Sequence, residues 1–136
     1  MTRTRMTLLV AAGGAAGAAA RAGADLTGPA TGTGFPWTTW AVNLAGCALM
    51  GVLMTLLNHK PGRRPMWAGP VLGSGFLGGF TTFSAFSADV QRLLTDGHAP
   101  TAVVYAAATV AGALASTTAG AALTAGLLDR DARGDR

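Results

Sequence analysis

The chain has 136 residues, a formal net charge of +4 and one cysteine; half of its residues are hydrophobic and only 12% are charged. An average soluble domain carries about 25% charged residues, and so few charges cannot cover the surface of a soluble protein of this size. The composition therefore excludes most soluble enzymes and a disordered chain. The cations are too sparse for a nucleic-acid-binding surface, and a single cysteine excludes an internal disulfide framework.

Long stretches without a formal charge divide the sequence into candidate membrane spans. Residues 26–59, 65–88 and 97–128 carry no charged side chain, and a membrane-spanning helix needs about 20 mostly apolar residues. Residues 6–20 are shorter, so the first helix must continue past Arg21, whose long side chain can reach the membrane surface. We therefore predict one all-α transmembrane domain over residues 1–136. Its four helices are expected at about 7–24, 37–57, 66–94 and 101–128.

The first stretch also fits a second interpretation. Arg3 and Arg5, followed by an apolar run and a triplet of small residues, form the pattern of a secretory signal peptide. The run 11–20 contains only Ala and Gly, which is a poor apolar region for a signal peptide but suits a helix packed closely in a bundle. We therefore favour a transmembrane helix.

Small residues recur every four positions in the first and fourth predicted helices. The first has Gly13 and Gly17, and the fourth has Gly112, Ser116 and Gly120. Helices in lipid associate through such residues because apolar side chains gain nothing by leaving lipid. The spacing fits packing within one chain and packing between subunits equally well. A unit of four helices can hardly enclose a pore alone, which favours an oligomer.

The distribution of Lys and Arg predicts that both termini lie in the cytoplasm. With four spans, the termini and the middle loop share one side, which carries eight cations, against two on the other side, Arg21 and Arg92. This bias predicts a multi-pass protein of a bacterial-type plasma (inner) membrane. The eight cations are Arg3, Arg5, Lys60, Arg63, Arg64, Arg130, Arg133 and Arg136.

The third predicted helix is rich in glycine near its middle. Each Gly weakens a helix interior by about 1 kcal/mol relative to Ala, so Gly78 and Gly79 predict a break near residues 76–82. Backbone groups freed at membrane depth are costly unless they line a cavity or hold an ion, and broken helices can direct carbonyls to a cation. The carbonyls of Gly78 and Thr81 are the candidates here. An unbroken glycine-rich helix packed on a neighbour is the open alternative.

Phenylalanines and hydroxyl groups follow these glycines. Phe80, Phe83 and Phe86 recur every three residues, so we expect them to share one helix face. Such a stripe alone indicates packing or lipid contact, but phenyl edges are electropositive and hydroxyls donate hydrogen bonds. Together they can line a path for an anion without a fixed positive charge. The interleaved hydroxyl residues are Thr81, Thr82, Ser84 and Ser87.

Polar residues in the second and fourth helices are candidates for the same path. The amide of Asn43 lies at mid-span, where it must bond either another helix or a permeating ion, because an unpaired buried amide is costly. Tyr105 and Thr109 lie four residues apart on one helix face. We expect no acidic residue inside a span, whereas proton-coupled carriers rely on one. No base and nucleophile come together, so we predict that the chain is not an enzyme.

Three motifs, in this order along the chain, resemble those of the Fluc (CrcB) family of fluoride channels. The resemblance implies a fluoride-selective passive channel that exports fluoride and lowers its cytoplasmic concentration. It also implies an antiparallel, dual-topology dimer with two pores and a structural Na⁺ at the dimer centre. The motifs are Gly13-Gly14-x-x-Gly17-Ala18-x-x-Arg21, Val42-Asn43-x-x-Gly46 and Gly75-Phe76-x-Gly78-Gly79-Phe80-Thr81-Thr82-Phe83-Ser84-x-Phe86.

The resemblance also implies residue roles. The backbone carbonyls of Gly78 and Thr81 would hold the Na⁺. Arg21 would lie at a vestibule and attract anions, although its position fits a side chain that reaches the membrane surface equally well. Ala113, one turn after Thr109, departs from the polar pattern expected of the family. The ion pathway would be formed by Arg21, Asn43, Thr82, Phe83, Ser84, Phe86, Tyr105 and Thr109.

The Lys and Arg bias departs from dual topology, since a chain that inserts both ways should show little bias. We hypothesise that the chain inserts one way and pairs with an oppositely oriented paralogue, with a second copy of itself as the alternative. Two other functions are weaker. A small four-helix multidrug-type transporter needs a membrane carboxylate, and a non-conducting membrane assembly protein leaves the Phe and hydroxyl spacing unexplained.

Overall fold

The computed structural model describes residues 2–28, 34–59 and 65–134, the last four by their backbone alone, and this part of the chain is helical without strands. The cations Lys60, Arg63, Arg64 and Arg136, and the side chain of Arg133, lie outside the described residues. The helices are α1 (Arg3–Thr27), α2 (Trp37–His59), a π-helical segment (Gly69–Leu77) that continues into α3 (Gly78–Phe80), α4 (Phe83–Thr95) and α5 (Ala99–Gly134).

The helix bounds follow the charge-free stretches most closely at α2. This helix begins at the predicted residue and ends two residues later than predicted, at His59. Helices α1 and α5 extend past the predicted limits at both ends. The reason is physical: charged residues limit the apolar stretch, but the backbone helix continues through them because Arg and its neighbours tolerate helical geometry.

Two helices of the described chain are long and apolar enough to cross a membrane, Trp37–His59 and Ala99–Arg130. Most of their surface faces outwards, and Val103, Leu114 and Leu123 of α5 are largely exposed. A soluble protein would bury such a surface, so these helices favour a membrane protein. Helix α1 is less apolar because Ala and Gly dominate it.

Glycines bring α1 into backbone contact with the segment that follows residue 69. A Cβ at Gly17 would overlap the carbonyl of Phe76, and a Cβ at Gly79 would overlap the carbonyl of Gly14. A Cβ at Gly13 would lie 2.7 Å from the carbonyl oxygen of Val71. The small residues of α1 therefore serve packing within the chain, one of the two alternatives left open by their spacing.

Glycines also bring α2 into backbone contact with α5. A Cβ at Gly120 would overlap the carbonyl of Ala48, and a Cβ at Gly51 would overlap the carbonyl of Thr117. Helix α4 also packs on α5. The described chain thus contains two close helix pairs, α1 with the π-helical segment and α2 with α5, and this arrangement places the middle of α2 beside the end of α3.

The helical backbone is interrupted between α3 and α4. Thr81 and Thr82 are extended, with φ and ψ of −80° and 160°, and −151° and 121°. Thr82 then caps α4, since its Oγ1 accepts a hydrogen bond from the N–H of Ala85 at 3.1 Å. A side-chain oxygen at this position satisfies one of the free N–H groups of the first helical turn.

The interruption separates Phe80 from the other two phenylalanines. Phe80 stacks on Phe76, with ring centroids 6.1 Å apart and an interplanar angle of 10°. Phe83 instead contacts Phe86 at 5.6 Å. The expectation that all three rings share one helix face is wrong, because helical spacing does not hold across two extended residues.

A buried cluster joins α4 to α5 near the start of α2. Leu93, Ala102 and Tyr105 are fully or almost fully buried. The turn between the two helices depends on Gly97, whose φ of 79° suits a residue without a side chain. The partly buried residues around the cluster are Phe35, Trp40, Phe86 and Val90.

Candidate functional site

The side chain of Asn43 is bonded to the interruption between α3 and α4. Its Nδ2 donates to the carbonyl of Thr82 at 3.0 Å, and its Oδ1 accepts from the N–H of Thr82 at 2.8 Å. The residue is 9% exposed. Asn43 therefore joins α2 to the start of α4, and one of its two amide protons lies outside this pair of bonds.

Side-chain hydrogen bonds replace two backbone hydrogen bonds that a continuous helix would make to the carbonyls of Gly78 and Thr81. In a continuous α-helix, the N–H of Thr82 would bond the carbonyl of Gly78, and the N–H of Ala85 would bond the carbonyl of Thr81. Both N–H groups donate to side chains instead, to Asn43 Oδ1 and to Thr82 Oγ1. The carbonyls of Gly78 and Thr81 consequently lose their helical donors.

Both residues line one open groove of about 490 Å³ between α2 and the π-helical segment. Gly78 is exposed, and a Cβ there would meet only the carbonyl oxygen of Gly73, at 3.8 Å. Carbonyl oxygens at an unwound helix are ligands for Na⁺ in membrane proteins. The backbone at Gly78 and Thr81 thus fits the donor chemistry of a Na⁺ site.

A second open groove, of about 360 Å³, adjoins the first at Thr81 and brings together most of the predicted pathway residues. The ring of Phe83 is 79% exposed, and its centroid lies 5.6 Å from that of Phe86. The groove therefore combines two phenyl rings with amide and hydroxyl groups. Its predicted pathway residues are Asn43, Thr82, Phe83, Phe86 and Thr109, and Ala113 also lines it.

Hydroxyl groups surround the first turn of α4. The Oγ atoms of Thr82 and Ser84 lie 3.1 Å apart, and Ser87 Oγ donates to the carbonyl of Phe83 at 2.9 Å. Ser84 does not line the groove itself but adjoins it through Thr82. The N-terminus of a helix carries a partial positive charge, so this end of α4 favours a negative ion.

Tyr105 and Thr109 occupy different places relative to this groove. Thr109 is buried at the groove wall, and its hydroxyl donates to the carbonyl of Tyr105 at 2.7 Å. Tyr105 is 0% exposed and lies behind the groove, with its ring centroid 5.3 Å from that of Phe86. Its hydroxyl has no hydrogen-bond partner among the described residues.

Arg21 lies apart from both grooves. Its Nη2 contacts Asp25 at 3.3 Å, one turn further along α1, while its Nη1 is buried without a partner in the described chain. Arg21 is the weakest of the groups that act on the Tyr105 hydroxyl, and it lines neither groove.

Sequence reasoning missed two residues near Tyr105. Thr39 is buried one helical turn before Asn43, and the spacing of four residues was the available signal. Asp89 lies on α4 with a largely buried side chain, 3.2 Å from Arg92. Both side chains lie near the Tyr105 hydroxyl. The expectation that no acidic residue lies inside the third predicted span, 66–94, is therefore wrong, although Asp89 is paired with a cation.

Comparison with known proteins gives consistent matches. The family model described as CrcB-like protein, Camphor Resistance (CrcB), matches residues 8–121, a range that contains every candidate site residue. "Fluoride-specific ion channel FluC 1" of Streptomyces coelicolor is 46% identical over 114 residues, which cover 83% of this chain and 73% of that protein.

Two further relatives match over most of their length. "Fluoride-specific ion channel FluC 2" of Thermobifida fusca is 46% identical over 124 residues, 91% of each chain. "Fluoride-specific ion channel FluC" of Paracoccus denitrificans is 44% identical over 120 residues, 88% of this chain and 94% of that protein. These relatives are named as ion channels rather than as enzymes, and the family resemblance of the motifs is confirmed.

Proposed function

The chain belongs to the CrcB (Fluc) family, and from this premise we propose that it is a fluoride-selective passive channel that exports fluoride and lowers its cytoplasmic concentration. The observation that carries the proposal is the groove in which Asn43, Thr82 and Thr109 lie beside the rings of Phe83 and Phe86. The second amide N–H of Asn43, outside its bonds to Thr82, and two phenyl rings are thereby brought together at a largely apolar surface.

Fluoride is small and strongly hydrated, so a selective path must replace strong hydrogen bonds. Amide and hydroxyl donors replace them in part, and the edges of phenyl rings add a positive potential. No cationic side chain of the described residues lines the groove. A fixed cation would hold fluoride tightly, whereas conduction requires that the ion also leaves.

A second subunit of opposite orientation would complete the path. Phe83 is 79% exposed in the single chain, and exposed hydroxyl groups of Ser84 and Ser87 adjoin it. Ser87 Oγ is already bonded to the carbonyl of Phe83, but Ser and Thr hydroxyls also form hydrogen bonds between helices in membranes, so this surface suits contact with a second subunit. An antiparallel partner would close the open groove around the exposed ring and give two equivalent pores.

We further propose that the partner encloses a structural Na⁺ at the dimer centre. The fit of the backbone at Gly78 and Thr81, whose carbonyls have lost their helical donors, supports this site. When bound, the ion would supply positive charge without a side-chain cation. It would also satisfy carbonyls that are otherwise expensive at membrane depth.

For Arg21 we propose a place in the vestibule of the pathway. Its Nη1 is buried and has no hydrogen-bond partner among the residues that the structure describes, which leaves donor capacity for an anion. The polar and charged groups near Tyr105 suit an entrance more than a lipid-facing helix end. Tyr105 and Thr109 would then connect this entrance with the phenylalanine groove.

The orientation of the chain follows from its Lys and Arg bias, which supports cytoplasmic termini in the plasma (inner) membrane and a paralogue as the partner. Reporters fused to each terminus in living cells test this. Signals on the cytoplasmic side alone are expected. Signals on both sides of the membrane would instead show that the chain inserts both ways and can pair with a second copy of itself.

The proposed export function is tested in a bacterial strain that lacks its own fluoride exporter. Expression of the chain, together with a candidate paralogue where needed, should restore growth in fluoride-containing medium. The Phe83→Ile variant should fail to do so at equal expression, and Phe76→Ile, whose ring lies outside the groove, should succeed. Failure of the wild-type pair would contradict the proposal.

A further inference from the structure

We propose that Phe35, which precedes the first turn of α2, is a positioning residue of the ion pathway that holds Tyr105 against Phe86. The inference rests on the proposed channel function. Phe35 lies in none of the motifs that resemble the family, and it lines neither groove. It acts through its contact with the buried tyrosine.

Phe35 and Phe86 contact the ring of Tyr105. The centroid of Phe35 lies 5.2 Å from that of Tyr105, with an interplanar angle of 88°, which is an edge-to-face contact. The centroid of Phe86 lies 5.3 Å from that of Tyr105, with an angle of 42°. Phe86 in turn contacts the exposed ring of Phe83. Successive ring contacts therefore lead from Phe35 through Tyr105 and Phe86 to Phe83 in the groove.

Tyr105 depends on these aromatic contacts for its position. A buried tyrosine is usually fixed by a hydrogen bond from its hydroxyl. Thr39 and Asp89 lie near the Tyr105 hydroxyl, but no described residue meets it in hydrogen-bond geometry. The ring is 0% exposed, so the rings that pack on it are its closest fixed contacts and help to set its orientation.

Phe35 itself is firmly placed at the start of α2. Its carbonyl accepts a hydrogen bond from the N–H of Trp37 at 2.9 Å. Its ring lies 4.4 Å from that of Trp37 and 6.0 Å from that of Trp40. The next residue, Pro36, is fully buried and has a fixed φ. Because Phe35 is held at the start of α2, its ring offers a fixed contact to the side chain of Tyr105.

Removal of the Phe35 ring would leave space beside Tyr105. Tyr105 would turn into this space and weaken its contact with Phe86, a ring that lines the groove. Because an aromatic pair of this kind contributes on the order of one factor of ten in an equilibrium or a rate, we expect Phe35→Leu to slow fluoride release about fivefold.

The test is fluoride release from liposomes that contain on average fewer than one channel each. The candidate paralogue is included if the chain alone shows no fluoride release. The extent of release then counts active channels, while its time constant reports the rate of each channel. A purely structural role of Phe35 would lower the extent alone. The variants are Phe35→Leu, Phe35→Tyr as the conservative rescue, and Trp67→Leu as the control that removes a half-exposed ring outside the cluster around Tyr105.

The proposal predicts a slower time constant for Phe35→Leu and a near wild-type time constant for Phe35→Tyr and Trp67→Leu. An unchanged time constant in Phe35→Leu would overturn it while the channel function stands. Equal slowing by Trp67→Leu would also overturn it, because the loss of any aromatic ring would then have the same effect. No release by the wild-type protein would instead overturn the proposed channel function, and this inference with it.

Discussion

The side-chain amide of Asn43 forms two hydrogen bonds with the backbone of Thr82, one with its N–H and one with its carbonyl. This pair of bonds joins the middle of α2 to the first residue before α4. It also takes the N–H of Thr82 away from the carbonyl of Gly78, its partner in a continuous helix. One side chain therefore links the candidate ion path with the candidate Na⁺ site.

Replacement of Asn43 by Ala should destabilise the fold and abolish fluoride release. The N–H and the carbonyl of Thr82 would lose their partners, at about 1–3 kcal/mol for each unpaired buried group. Thermal unfolding in detergent and fluoride release from liposomes measure the two effects. Asn58→Ala is the matched control, since Asn58 is exposed near the end of the same helix. Equal behaviour of the two variants would contradict the role of Asn43.

Replacement of either groove phenylalanine should suppress fluoride release, but the two replacements should differ in their effect on the stability of the protein. Within the single chain Phe83 is 79% exposed, so Phe83→Ile should cost less stability than Phe86→Ile and still suppress fluoride release. Phe86 packs on Tyr105, so Phe86→Ile should lose about 1 kcal/mol of stability as well. Phe76→Ile, outside the groove, serves as the control for release. Undiminished release by Phe83→Ile would argue against the assignment of the groove as the pore.

Helix α1 offers a matched test of close packing. In Gly17→Ala, the new Cβ would overlap the carbonyl of Phe76, and overpacking of this kind costs about 1–3 kcal/mol. In Gly23→Ala, the new Cβ meets nothing within 4 Å, so the variant should gain about 0.5–1 kcal/mol from the lower backbone entropy of Ala. Thermal unfolding compares the two, and a stable Gly17→Ala protein would show that the helices separate at little cost.

Sodium should stabilise the assembled protein. A ligand that binds only the folded state raises its stability with concentration, and the carbonyls of Gly78 and Thr81 are the proposed ligands. The unfolding temperature should be several degrees higher in NaCl than in N-methylglucamine chloride at equal ionic strength. The same unfolding temperature in both salts would contradict the Na⁺ site. It would not bear on the anion path, which fluoride release tests separately.

Some helix bounds can be predicted because charge-free stretches are a local signal. The start of α2 at Trp37 is read from composition within one segment, whereas a broken membrane-spanning third helix stays a prediction. The partner of Asn43 could not be predicted in this way, because Thr82 lies 39 residues away and the bond depends on how α2 packs beside α3. The sequence alone is compatible with a bond from this amide to another helix and with a bond to a permeating ion.

Two further differences have similar causes. Phe80 was expected beside Phe83, but two extended residues intervene and direct its ring to Phe76. No acidic residue was expected in a span, yet Asp89 lies within 66–94, and α4 places its largely buried side chain 3.2 Å from Arg92. A pattern of residue types shows which groups are present, whereas tertiary packing decides which of them meet.

The central claim is tested most directly by fluoride release from liposomes that contain the purified chain, read with a fluoride electrode against a parallel chloride measurement. The account predicts fast release of fluoride and little release of chloride, by the chain alone or after addition of an oppositely oriented paralogue. Absence of fluoride release in both preparations, or equal release of the two anions, would contradict it.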